Sequence, residues 1–326
     1  MSSLSTFVPI VDNMMKQNVH ANGSEHVVIV ADFEKEEIGR LVFDSLCERG
    51  FAADFVLMQT RSRSGEEPPA TVAAAMKAAD ICICICEHSL THTAARKEAS
   101  AAGVKVITMP GITMDMFTEG AIKADYEKIE QLTSLFTEKL TACEQIRIHT
   151  GKNEEYELRI NIKGRDGISS PGIFKTEGAS GNLPSGESYI APVLEESNGQ
   201  ILIDGSIAGV GKVSSPVLLQ VKEGRLASAS GDQGGKLLTL LGDGDGRLLA
   251  EFGIGTNHSA RVTGNILEDE KAYGTIHVAF GSNKTFGGTI EAGVHLDCVT
   301  LKPTVLFDEE LIVEKGQVLA HQPGIS

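Results

Sequence analysis

Apolar and polar positions follow two different rhythms along this chain. From His26 to Cys143, short unbroken apolar runs alternate with stretches whose apolar residues recur at helical spacing. "HVVIVAD", "FAADFVLM", "ICICIC" and "VKVITMP" read as strands. "EEIGRLVFDSLCERG", "PATVAAAMKAAD" and "THTAARKEASAAG" read as helices, and a long helical stretch runs from about Met114 to Ala142. Gly50 and Gly103 follow two of these helices as C-terminal stops. Continuous apolar strands are buried on both faces, and their alternation with helices predicts a doubly wound α/β domain around a parallel sheet.

From Gln145 onward the period shortens to two. "QIRIHT", "YELRINI", "GQILIDGSI", "PVLLQVKEGRL", "TIHVAF" and "HLDCVTLKPTVLF" are separated by glycine-rich turns, with "QGGKLLTLL" as a helix among them. The expected organisation is an α/β domain over residues 1–144 and a β-rich α+β domain over residues 145–326, which would carry the chemistry. A length of 326 residues suits two such cores.

Composition narrows the partners. The net charge of −15 argues against nucleic acid or an anionic membrane surface. No apolar stretch approaches the roughly 20 residues of a membrane-spanning helix, and "MSSLSTFVPIVDNMMKQNVH" is a poor signal peptide. The six cysteines form no disulfide framework, so a reduced, cytoplasmic protein is expected. Cys82, Cys84 and Cys86 would share one strand face. They read as small core residues, with a thiolate metal site as the alternative. "ADFEKEE" stands where a dinucleotide-binding fold would need a glycine-rich phosphate loop, which argues against such a cofactor. The arginines of "QTRSRSGEEPP" read as a solvated loop.

The candidate chemistry lies in the second half. Glu187, after a Pro-Ser-Gly turn, reads alone as an exposed loop acid. Glu251, between "RLLA" and "FGIG", is a carboxylate close to a core and must be paired, protonated or metal-bound. His277 in "TIHVAF" reads alone as a hydrogen-bonded core histidine. His295 and Asp297 in "AGVHLDC" project to the same face of a strand, as a hydrogen-bonded pair or as two ligands. Together these three carboxylates and two imidazoles suffice for one or two divalent ions. In "SLTHTAAR", Ser89 or Thr91 reads as a helix cap, and His92 as a candidate substrate contact. His258 in "GTNHSA" reads as a turn residue.

"NLPSGE", "EFGIGTN", "EDEKAYGTIHVAFG" and "GVHLDC" resemble the aminopeptidase T and aminopeptidase S family of metallopeptidases, the thermophilic metalloproteases, over roughly residues 175–305. The resemblance implies a two-metal centre of zinc, cobalt or manganese on Glu187, Glu251, His277, His295 and Asp297. In "GSNKTFGG", Asn283, Lys284 and Phe286 stand where some members of that family carry a tyrosine. The chain also looks similar to the 2,5-dihydroxypyridine 5,6-dioxygenases, which implies one non-haem Fe(II) with histidine and carboxylate ligands.

The leading expectation is a metallo-aminopeptidase-like hydrolase acting on short peptides. Its metal-bound water would attack the carbonyl, and Glu187 or Glu251 would move the proton. The alternative is a mononuclear ring-cleaving dioxygenase acting on a small heteroaromatic molecule. A non-catalytic scaffold is a third reading, opposed by the complete five-residue set. A homo-oligomer, such as a dimer, is expected.

Overall fold

Four parallel strands and the helices between them follow directly from the alternating first half of the sequence. A computed structural model describes residues 4–319. After α1 (Leu4–Gln17) come β1 (His26–Asp32), α2 (Glu36–Glu48), β2 (Ala52–Met58), α3 (Ala70–Ala78), β3 (Ile81–Ile85), α4 (Ala94–Ala101) and β4 (Lys105–Thr108). The sheet runs β2-β1-β3-β4, and a short fifth strand, Ser180–Asn182, adds to β4. All of its pairs are parallel. Val28, Val30, Cys82, Cys84, Cys86 and Val106 pack together as one of its cores.

The cysteine run is core material. Cys82, Cys84 and Cys86 are all buried and free, with the Cys82 and Cys84 sulfurs 3.7 Å apart on one strand face. The sulfur contact with Cys82 and burial together raise the Cys84 thiol far above its ordinary range, and burial does the same to Cys86.

Two expectations are corrected here. The stretch Met114–Ala142 is not one helix: α5 (Met114–Glu119) ends at Gly120, a single 3-10 turn covers Ala121–Lys123, and α6 (Tyr126–Ala142) begins afresh. The cap of α4 is neither Ser89 nor Thr91 but Thr93, whose hydroxyl accepts from the Arg96 N–H at 3.2 Å. Thr91 instead bonds Thr108 and Asn182.

The described chain forms two compact units that interleave in sequence. One holds the residues through Glu130 with Gly172–Ser185, and the other holds Gln131–Pro171 with Gly186 onward. The second unit contains an eight-stranded and a seven-stranded sheet, both antiparallel. The chain therefore combines a parallel α/β region with antiparallel β structure. Four strands of the seven-stranded sheet matter below, in the spatial order β8-β7-β6-β5: β5 (Glu187–Ile190), β6 (Leu249–Gly255), β7 (Ile276–Gly281) and β8 (His295–Thr300). One face of these strands presents Ile190, Phe252, Ile254, Ile276, Val278, Phe280 and Cys298, which join the main hydrophobic core of this unit. Phe252 meets Phe307 of the other sheet edge-on, with ring centroids 6.0 Å apart. None of the described helices is long and apolar enough to cross a membrane.

Candidate metal centre

Alternation along a strand sends every second side chain to the opposite face. On β5 to β8 that opposite face carries Glu187, Tyr189, Glu251, Gly253, His277, Ala279, His295 and Asp297. Registration brings them side by side: Gly255 faces Glu187, Gly253 faces His277, Ala279 faces Asp297, and Gly281 faces His295. Small residues opposite large ones leave room over the sheet. A Cβ on Gly253 would stand 2.1 Å from His277 Nε2, so only glycine lets that imidazole lie where it does. A register shift between Leu249 and Glu251 turns Glu251 onto this face.

The five residues named from sequence lie on this one face but divide between two donor groups, Glu187 and His277 in one and Glu251, His295 and Asp297 in the other. Glu251 bridges the two imidazoles, with Oε1 3.3 Å from His277 Nε2 and Oε2 3.4 Å from His295 Nε2. Asp297 Oδ1 is 3.3 Å from the same His295 nitrogen. Glu251, His295 and Asp297 each offer a donor atom within 4.8 Å of the other two. Donors held at about 2.0–2.3 Å from one ion fit inside that separation. His295 Nδ1–H donates to the Ser282 carbonyl at 2.8 Å, which fixes the tautomer and leaves Nε2 as the free donor. The donor set thus fits a divalent ion of the first transition row.

Burial and mutual charge set the electrostatics. Desolvation works against the imidazolium at both histidines, but the carboxylates outweigh it. His277 is pushed up to about 9 by Glu251 and Glu187, and His295 to about 10 by Asp297 and Glu251. Burial raises Glu251 against the pull of His277 and His295. Burial opposes ionisation of Asp297 too, yet His295 beside it holds the carboxyl below the usual range. Such a site favours cations strongly. His295 is its most open member, with 30% of its side chain exposed. Phe286 meets the His295 ring edge-on at 5.8 Å, and Tyr189 meets Phe286 edge-on at 5.4 Å. The phenylalanine of "GSNKTFGG" is therefore joined by a tyrosine from β5. Asn283 shapes that loop, accepting from the Ile290 N–H and donating to the Ala250 carbonyl.

Glu187 is not an exposed loop acid, as it reads when taken alone: it is 7% exposed, and its Oε1 accepts from Lys271 Nζ at 2.7 Å. Its Oε2 lies 3.6 Å from His277 Nε2. Lys271 also donates to Glu270. Sequence reading missed Glu270 and Lys271, because "EDEK" looks like a solvated charge run. The signal that could have found them was the apolar surroundings of "NILEDEKAYG", which make a buried lysine demand buried partners. Glu187, Glu270 and His277 form a second group of donors within 4.8 Å of one another. Burial pushes Glu270 up to about 8 against the pull of Lys271. Lys271 itself loses from burial but is held above the ordinary lysine range by Glu187 and Glu270. His92 belongs to the first unit, where it is exposed in the turn before α4. His258 is exposed and stacks on Tyr273 with centroids 3.7 Å apart.

The family model of the 2,5-dihydroxypyridine 5,6-dioxygenases matches residues 46–320. Among solved structures, the fold is similar to a 2,5-dihydroxypyridine dioxygenase from Pseudomonas putida KT2440, with a TM-score of 0.83 at 14% identity over 99% of both chains. It is also similar to wild-type AmpT, an aminopeptidase T, from Thermus thermophilus, with a TM-score of 0.69 at 16% identity over 97% of this chain and 99% of that one. At these identities the likeness is one of fold. No curated protein matches the sequence.

Proposed function

The chain belongs to the 2,5-dihydroxypyridine 5,6-dioxygenase family, and we propose that it is a metal-dependent ring-opening dioxygenase acting on a small dihydroxylated heteroaromatic such as 2,5-dihydroxypyridine. The observation that carries this reading is the compact donor group of Glu251, His295 and Asp297. Three imidazole and carboxylate donors suit Fe(II) with positions left open for other ligands. Glu251, His295 and Asp297 would hold the ion, with His277 set against the other oxygen of Glu251. Once bound there, the ion would supply Lewis acidity and one-electron chemistry toward oxygen.

The chain's own residues would do the rest. Ser282 fixes His295 through Nδ1 and so aims Nε2 inward. Phe286 and Tyr189 form an aromatic wall beside the exposed edge of His295, against which a flat ring can pack edge-on or offset. Glu187, anchored through Oε1 to Lys271, offers Oε2 as an acceptor for the hydrogen of a substrate hydroxyl.

One observation favours the hydrolase reading: the second donor group, Glu187, Glu270 and His277, stands next to the first. Elemental analysis with oxygen uptake separates the two. The expected result is one iron per chain and oxygen consumption on 2,5-dihydroxypyridine. Two zinc, cobalt or manganese ions per chain, with release of N-terminal residues from short peptides and no oxygen uptake, would overturn the dioxygenase reading.

A further inference from the structure

We propose that Lys271 limits this centre to a single divalent ion, its ammonium standing where a second ion would stand between Glu187 and Glu270. The inference rests on the reading above that one ion binds at Glu251, His295 and Asp297, and it deepens that reading.

Four carboxylates with little exposure gather here, Glu187, Glu251 and Asp297 on the sheet face and Glu270 from the turn before β7. A buried carboxylate needs a cation or a proton. A bound ion answers that need at Glu251 and Asp297. At Glu187 and Glu270 the chain supplies its own answer. Lys271 Nζ donates to both, and the lysine has no exposed surface at all. Those two carboxylates are also two of the three donors in the second group, whose third member is His277. Ammonium and second ion thus compete for the same two carboxylates.

The backbone leaves the lysine little freedom to withdraw. The Asn257 N–H donates to the Lys271 carbonyl at 2.9 Å, and the Lys271 N–H donates to the Glu268 carbonyl at 3.0 Å. Gly255, registered opposite Glu187, lies so close that a Cβ there would stand 2.1 Å from the Ala272 carbonyl oxygen. The chain around Lys271 is therefore pressed onto β6 beside Glu187. A divalent ion entering the second group would have to expel a fully buried ammonium from both partners. The first donor group, Glu251, His295 and Asp297, shares no residue with the second.

Cobalt(II) is a suitable probe, because its visible spectrum and elemental analysis both count ions without reference to turnover. Wild-type protein, titrated into millimolar excess, should saturate at one Co(II) per chain. Lys271→Gln should take up two, the second with its own absorption band, and Lys271→Gln/Glu270→Gln should return to one. Where Lys271→Gln is not recovered folded, Lys271→Met, which removes the charge and keeps the stem, carries the same count. One Co(II) in the wild type and one in the Lys271 variants overturns the role of Lys271 while leaving the one-ion centre standing. Two in the wild type overturns both.

Discussion

Replacing Gly253 with alanine places one methyl group against the buried His277 ring, and the structure sets the size of the effect. The new Cβ would stand 2.1 Å from Nε2, 2.2 Å from Cε1 and 2.9 Å from Cδ2. To go from 2.1 Å to an ordinary contact of 3.4 Å, the ring must retreat by about 1.3 Å. Metal–ligand bonds tolerate only about 0.2 Å. His277 is fully buried, so it has no solvent to move into. The ring should leave the position from which it meets Glu251. Loss of the contact by which His277 orients Glu251 should lower metal affinity about 10–100-fold. Overpacking should cost the fold about 1–3 kcal/mol, less than the roughly 5–15 kcal/mol that holds a domain together. Calorimetric metal titration and urea unfolding read the two quantities separately. Gly235→Ala is the control: it lies in the helix Gly231–Leu241 with nothing within 4 Å of where the new methyl would stand, and it should be neutral or slightly stabilising. Wild-type metal affinity in Gly253→Ala would refute the role of His277 in orienting Glu251.

Other outcomes follow from the same geometry. His295→Ala, Asp297→Ala and His277→Ala should each weaken metal binding by at least 10–100-fold, whereas His258→Ala, which loses only an exposed stack on Tyr273, should stay near wild type; the reverse order in a metal titration would show that the wrong histidine has been chosen. Because His277 and His295 sit near 9 and 10, above their ordinary value, both rings are charged at pH 7.5 in the metal-free protein, and a ring that ligates must give up its proton. Apparent affinity should therefore rise with pH up to that range, and calorimetry in two buffers should detect one proton released per ligating ring; no release would contradict histidine ligation. In the native protein, Cys47 should react with a thiol reagent at the rate of an exposed cysteine while Cys82, Cys84 and Cys86 wait for unfolding, and equal rates for all four would deny the cysteine run its core position.

What the sequence made legible depended on how many residues carried each signal. The strands β1 to β4 and their helices were plain because each apolar run is long and bounded by a helix stop. Ser180–Asn182 was invisible because three residues hold no period, and its pairing with β4 comes from residues more than seventy positions earlier. The break at Gly120 was hidden because apolar residues continue on both sides of it. At the site, His295 and Asp297 were legible through their i, i+2 spacing, and Glu251 through its apolar neighbours. Lys271 and Glu270 were not, since adjacent opposite charges look like a surface until the fold removes the water around them.

The two faces of β5 to β8 tie chemistry to the fidelity of folding. Phe252, Val278 and Cys298 point into the core from the same strands that point Glu251, His277 and Asp297 to the site. A one-residue slip in pairing would exchange the two sets, driving charges into the hydrophobic layer and aromatic rings into the metal pocket. A chain with such a slip would fail to bind metal and would also expose greasy surface that protein quality control recognises. On the proposed reading, the metal site and the hydrophobic core would therefore form together or not at all, so a chain that takes up metal would be one whose sheet has closed in the right register.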